Sequence, residues 1–135
     1  MVKNNLIVSG KRKTSIAKAN ISEGKGEVLI NNVPYQHLSE IHKLMIEEPL
    51  MISKKILGEI PYNIKIKVSG GGNESRIEAS RLAVAKAIVK KSKSEKLRKA
   101  MADYDKHLLV ADTRRKEAYK PGDSKARSKR QTSYR

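Results

Sequence analysis

The segment Tyr62–Ser69 constrains this chain more than any other. Tyr62, Ile64, Ile66 and Val68 alternate with Asn63, Lys65, Lys67 and Ser69. Successive side chains on a strand point to opposite faces, so the spacing predicts a strand with one buried face and one basic face. The strand runs into Gly70-Gly71-Gly72, and Ser75-x-x-Glu78 then has the form of a capping box. It predicts a helix through about Lys91, with Ile77, Val84 and Ile88 on its apolar face, widened by Leu82, Ala85 and Val89. Lys90 and Lys91 are favourable at the negative end of that helix.

Other segments fit around this unit. Residues 5–10 and 14–22 form two expected strands joined through the basic loop Lys11-Arg12-Lys13. Val28-Leu29-Ile30 is a short third strand, followed by the turn pair Asn31-Asn32. Leu38, Ile41 and Met45 form a helical stripe, which Pro49 is expected to end or interrupt. Ile52 and Ile56 share a face beyond it, with Gly58 as a C-terminal stop. A second capping box, Ser92-x-x-Glu95, opens a shorter helix carrying Leu97, Ala100 and Met101. After about Ala111 the periodicity fails. The expectation is one small α/β domain over residues 1–110 and a basic arm over 111–135, disordered when free because it has too little apolar surface to offset its ordering entropy.

Charge narrows the function. Among 135 residues there are 30 Lys+Arg and 14 Asp+Glu, a formal net charge of +16. Residues 1–20 carry +5, 21–60 carry −2, 61–92 carry +5, 93–110 carry +2 and 111–135 carry +6. Clustered positive charge of this kind marks a polyanion footprint rather than a generally solvated surface. No apolar run is long enough to span a membrane, so no spanning helix is expected, and no membrane partner is expected either. The opening MVKNNLIVSG has only three consecutive apolar residues, too few for a signal-peptide core, so the cytoplasm is the default. Phe and Trp are absent and Tyr numbers five, which leaves little material for base-stacking platforms. Phosphate and shape recognition of folded nucleic acid is the mode that remains.

Catalytic and metal chemistry find no constellation, and no cofactor is expected. Cysteine is absent, and His37 and His42 are five apart rather than the four of a helical zinc pair. The triple glycine matches neither phosphate-loop pattern and is more simply a tight strand-to-helix connection. Lys11-Arg12-Lys13, Arg114-Arg115-Lys116 and Lys125-x-Arg127-x-Lys129-Arg130 are the basic clusters that point to phosphate.

Taken together, GKRKTSIAKA (10–19), YNIKIKVSGGG (62–72), the helix after it, HLLVADTRRKEAYKPG (107–122) and KARSKRQTSYR (125–135) resemble the universal S-nine family of the small ribosomal subunit, over essentially the full length. The last five residues look archaeal or eukaryote-like. One departure stands out: Ser75-Arg76 occupies the place where relatives often carry Gly-Gln. The resemblance implies an α+β fold, a mixed four-stranded sheet with helices packed on it, similar to the second domain of the ribosomal S-five protein, plus a long extended basic C-terminal tail. It implies no enzymatic activity. It further implies a place in the subunit head on ribosomal RNA, beside neighbouring head proteins, with the tail reaching toward P-site transfer RNA. Lys11, Arg12, Lys13, Lys18, Arg76, Arg114, Arg115, Lys116, Lys125, Arg127, Lys129 and Arg130 become ribosomal RNA contacts, and Arg135 the transfer-RNA contact. Two other classes remain: a free-standing nucleic-acid chaperone, and a nucleotide enzyme suggested only by the glycine run.

Overall fold

The computed structural model describes residues 5–134. Its elements in chain order are β1 (Leu6–Arg12), β2 (Ser15–Glu23), β3 (Val28–Ile30), β4 (Val33–Pro34), α1 (Glu40–Leu57), β5 (Tyr62–Ser69), α2 (Asn73–Ser92) and α3 (Glu95–Tyr104). Single 3-10 turns cover Tyr35–His37 and Lys106–Leu108. The strands form one sheet in the order β1-β2-β5-β3-β4. All pairings are antiparallel except β3 with β5, where α1 lies on the crossover that a parallel pair requires. The architecture is α+β with a mixed sheet, as expected.

The sheet has five strands, not four. The extra strand is Val33–Pro34, paired with Leu29 and Ile30 across Asn31-Asn32. Both asparagines have left-handed φ, 49° and 66°, as a two-residue primed hairpin turn needs. Two residues, one of them proline, leave no alternation to detect, and proline is tolerated because β4 is an edge. The Asn31 side chain also extends the neighbouring parallel pair. Its Oδ1 accepts the Val68 N–H at 2.9 Å and its Nδ2 donates to the Val68 carbonyl at 3.3 Å.

One face of the sheet is covered. Val8, Ala17, Ala19, Ile21, Val28, Ile30, Ile64, Ile66 and Val68 point into it and are buried. With no Phe or Trp, the core is built from Ile, Val, Leu, Met and Ala, and backbones must approach closely to fill it. Gly10 shows how closely: a Cβ there would stand 2.2 Å from the Ala79 carbonyl oxygen of α2. α1 packs beside α2, and α3 beside α1. Leu97, Met101 and Leu108 close the far side of the core.

Several boundaries differ from the sequence expectation. α1 runs through Pro49 as one helix. The ring is fully buried, and Ser53 Oγ donates to the Pro49 carbonyl at 2.7 Å. Packing therefore outweighs the backbone bond that proline cannot make. The core-facing residues of α1 are Ile46, Pro49, Leu50 and Ser53, whereas Ile41, placed on a helical stripe with Leu38 and Met45, faces solvent. α2 begins three residues earlier than the capping signature implies. Gly72 is its N-cap and Ser75 lies inside the first turn. Ser75 Oγ accepts the Gly72 N–H at 3.1 Å and sits 2.8 Å from Ser15 Oγ, which donates to the Gly70 carbonyl. The glycine run is thus a tight joint between β5, β2 and α2, with Gly70 and Gly71 at φ 78° and 63°. α3 is capped by Ser94, which accepts from the Leu97 N–H, not by Ser92, because Lys93 in left-handed conformation ends α2 first.

Candidate nucleic-acid interface

Among the described residues no helix lies on the second face of the sheet. Alternation places Ile7, Ser9 and Lys11 of β1, Ile16, Lys18 and Asn20 of β2, and Asn63, Lys65, Lys67 and Ser69 of β5 on it. Lys11, Lys18, Lys65 and Lys67 are exposed there and join no ion pair among the described residues. None of those outward positions holds an acid. Lys18 pairs directly with Lys67 in the β2–β5 register. Like charges directly opposite on a sheet repel, so an anion seated between them relieves the face.

Lys11 and Lys18 were among the expected contacts; Lys65 and Lys67 were not assigned to the site. The alternation in 62–69 already marked a basic face, and the signal was complete in those eight residues.

The Lys11-Arg12-Lys13 cluster does not act as one loop. β1 extends through Arg12, and the hairpin turn is Lys13-Thr14. Consecutive strand residues face opposite ways, so Lys11 joins the open face and Arg12 turns toward the helices. There its Nε bonds Glu78 of α2, and its Nη1 lies 2.8 Å from Asp112 Oδ2, an ion pair off hydrogen-bond alignment. Only 15% of the Arg12 side chain remains exposed. Asp112 is also gripped by Arg114, whose backbone N–H donates at 2.9 Å and whose Nη2 donates at 2.7 Å. Those hydrogen bonds, with the nearby Arg12 charge, hold the Asp112 carboxyl well below the usual carboxylate range.

This anchor brings two clusters distant in sequence to one place. Lys13 and Thr14 at the hairpin tip line a cleft with Arg114, Arg115 and Lys116. Arg76 stands beside the same end of the sheet, its Nε donating to the Gly70 carbonyl at 2.9 Å. Lys125 and Arg127 lie along a shallow depression with Tyr119 and with Lys116, which also lines the cleft. Arg127 pairs with Glu117 at 2.8 Å, and Arg130 donates to the Gly122 carbonyl at 2.8 Å. Lys129 is exposed. From Leu109 to Tyr134 there is no helix or strand. Arg135 lies outside the described residues.

A second network is structural. Arg81 of α2 donates to Glu48 of α1 at 2.7 Å and to Asp105 at 3.1 Å from both terminal nitrogens. Burial pushes the Asp105 carboxyl up, but the His107 N–H and Arg81 bring it net below its ordinary value. Among the described residues no group of three His, Asp or Glu is placed to hold a metal, and no helix is long and apolar enough to cross a membrane.

A lysine-rich open sheet joined to a basic cleft defines a small, strongly basic α+β protein. Comparison with known proteins supplies its family. The family model described as ribosomal protein S9/S16 matches residues 10–135. The chain is 40% identical to the small ribosomal subunit protein uS9 of Desulfurococcus amylolyticus, over 96% of this chain and 92% of that protein. It is 39% identical to uS9 of Methanococcus vannielii (93% and 95% covered) and 38% identical to uS9 of Methanothrix thermoacetophila (94% and 96% covered). The chain belongs to the ribosomal protein S9/S16 family. Its role is structural and ribosomal, and it is not an enzyme.

Proposed function

We propose that this chain is a constituent of the small ribosomal subunit that holds ribosomal RNA of the subunit head against its open sheet face and basic cleft. The observation that carries this reading is the acid-free face with Lys11, Lys18, Lys65 and Lys67, two of them directly opposed. Phosphates between these lysines neutralise a repulsion that the free protein bears alone. The cleft adds Lys13, Arg114, Arg115 and Lys116, with Arg76 beside it. Arg12 contributes by fixing the start of the arm through Asp112. Residues 1–110 act as the globular unit, similar to the second domain of the ribosomal S-five protein. Residues 111–135 act as an extended basic arm, in which Lys125, Arg127, Lys129 and Arg130 meet ribosomal RNA. Arg135 then reaches P-site transfer RNA. The pairs Arg114–Asp112 and Arg127–Glu117 supply acceptors that phosphate replaces when the arm is seated.

The test is salt titration of the chain on small-subunit ribosomal RNA. If about six to ten phosphates are neutralised, affinity falls roughly a thousandfold or more between about 50 and 200 mM salt. Combining Lys18→Gln with Lys67→Gln should weaken binding and flatten the log–log salt slope by about two, near one per lost phosphate contact. An unchanged slope in the double variant would remove the sheet face from the interface.

A further inference from the structure

β1 forms one edge of the sheet. No backbone hydrogen bond among the described residues joins it to any segment but β2. Free strand edges pair with other chains unless something blunts them, and short length, proline, a bulge or an edge charge are the usual devices. The other edge, β4, has two of these: it is two residues long and contains Pro34. Residues 6–9 of β1 have none. They carry no charge and no proline, and they pair with β2 residue for residue from Leu6 opposite Ile21 onward. Ile7, Val8 and Ser9 all line a groove of about 660 Å³, walled by the last turns of α2, the start of α3 and Leu109. Consecutive strand side chains point opposite ways, so three in a row share a groove only where it follows the strand's edge. Val89 and Leu109 make part of the lining apolar, and Ile7 beside them is 65% exposed. Lys86, Lys90 and Lys93 line it too and join no ion pair among the described residues. The one acid of the lining, Glu95, already faces Arg98 at 3.8 Å.

From this juxtaposition we propose that the edge of β1 takes up an extended acidic segment of another protein as an added strand. Its apolar side chains enter the groove and its carboxylates meet Lys86, Lys90 and Lys93. The proposal rests on the ribosomal reading above, which places other proteins within reach. The strand edge and the charge together select the occupant. An edge offers N–H and C=O groups in turn, and a polypeptide strand supplies an acceptor and a donor to match. Phosphate oxygens accept but do not donate, so an RNA backbone would leave the carbonyls of β1 facing anions. A second copy paired edge to edge about a two-fold axis would set the lysines of one groove against those of the other. The chain's own arm is repelled in the same way, since residues 111–135 carry +6.

The experiment places a photoreactive residue at Lys93, and separately at Lys67, in the full chain assembled into purified small subunits. The expected Lys93 adduct resists ribonuclease and joins a peptide of a different protein in which Asp and Glu outnumber Lys and Arg. The Lys67 adduct goes to RNA. An RNA adduct at Lys93, an adduct to a second copy, a peptide that is not acidic, or no adduct at Lys93 overturns the proposal. Failure of Lys67 to reach RNA strikes the ribosomal RNA reading instead, and leaves the Lys93 result to stand on its own. A second variant, Lys86→Gln with Lys90→Gln, keeps the side-chain stems and should leave the circular dichroism of the free chain unchanged. In subunits it should lower the yield of the Lys93 adduct severalfold and speed amide hydrogen exchange over residues 6–9. Exchange equal to that in wild-type subunits would mean that no strand is added at β1, and overturns the proposal. The same variant should keep the wild-type salt slope on small-subunit ribosomal RNA. A slope flattened by about two would give the groove to phosphate and overturn the proposal as well.

Discussion

Asp112 decides where the globular part lets the chain go. It is the last residue tied to the sheet through Arg12, and the next residues are exposed. Its carboxyl is held low by Arg114 first and by Arg12 after it, so the folded value lies below that of the free chain. A group depressed in this way contributes its full share above the unfolded pKa, about 4 for aspartate. That contribution fades as pH falls from there through the folded value. The Asp112 carboxyl resonance should therefore titrate well below the usual carboxylate range. At neutral pH, Asp112→Asn should speed tryptic cleavage at Arg114 and Arg115 severalfold and lower the melting temperature slightly, since the carboxylate's contribution is lost. Cleavage at the wild-type rate would mean that Asp112 does not hold the segment. Arg12 illustrates what the sequence hides at this scale. Three adjacent cations look equivalent as letters, but a strand sends neighbours to opposite faces. The partner that turns Arg12 into an anchor lies near the other end of the chain.

Among the elements, β1 and α2 approach backbone to backbone. Gly10 is required because the backbone of α2 occupies the space a side chain would need, at Ala79 and Ala83. Gly10→Ala should destabilise the fold by about 1–3 kcal/mol, the range of overpacked cores, read as a lower urea midpoint at unchanged slope. A midpoint equal to the wild type would mean that α2 moves off the strand freely. Elements with a long, regular period were legible in the sequence. β5 was read with its true bounds, and α2 with its apolar face and nearly its true end. Short or locally overridden elements were not. β4 has two residues, the helix caps shifted to Gly72 and Ser94, and burial kept α1 intact through Pro49. A capping signature depends on which residue has extended backbone, and that was settled at Gly72 by the turn through Gly70 and Gly71. Ile41, which shares a stripe with Leu38 and Met45 by spacing, faces solvent in the fold. Helical spacing shows that apolar residues share a face, but not whether the fold or a partner covers it.

At the scale of the whole molecule, positive charge gathers on a lysine-rich open sheet and in a basic cleft at the hairpin end. If the arm serves transfer RNA in the P site, its removal should be felt there before it is felt in the fold. Truncating residues 125–135 removes Lys125, Arg127, Lys129, Arg130 and Arg135 together. The contacts of these cations among the described residues are with Glu117 and Gly122, both outside the core, so the melting temperature should not move. Guanidinium groups make forked, charge-assisted bonds to phosphate that neutral side chains cannot replace. Salt around an open site screens each of them, so the loss from any single residue stays modest. Deleting Arg135 alone should thus speed P-site transfer-RNA dissociation slightly, and the longer truncation more. Both shifts should shrink as ionic strength rises. The measurement uses purified subunits shown to contain each shortened chain, since a missing protein would imitate a missing contact. Dissociation equal to the wild type for both truncations would leave the arm with ribosomal RNA as its only proposed RNA ligand.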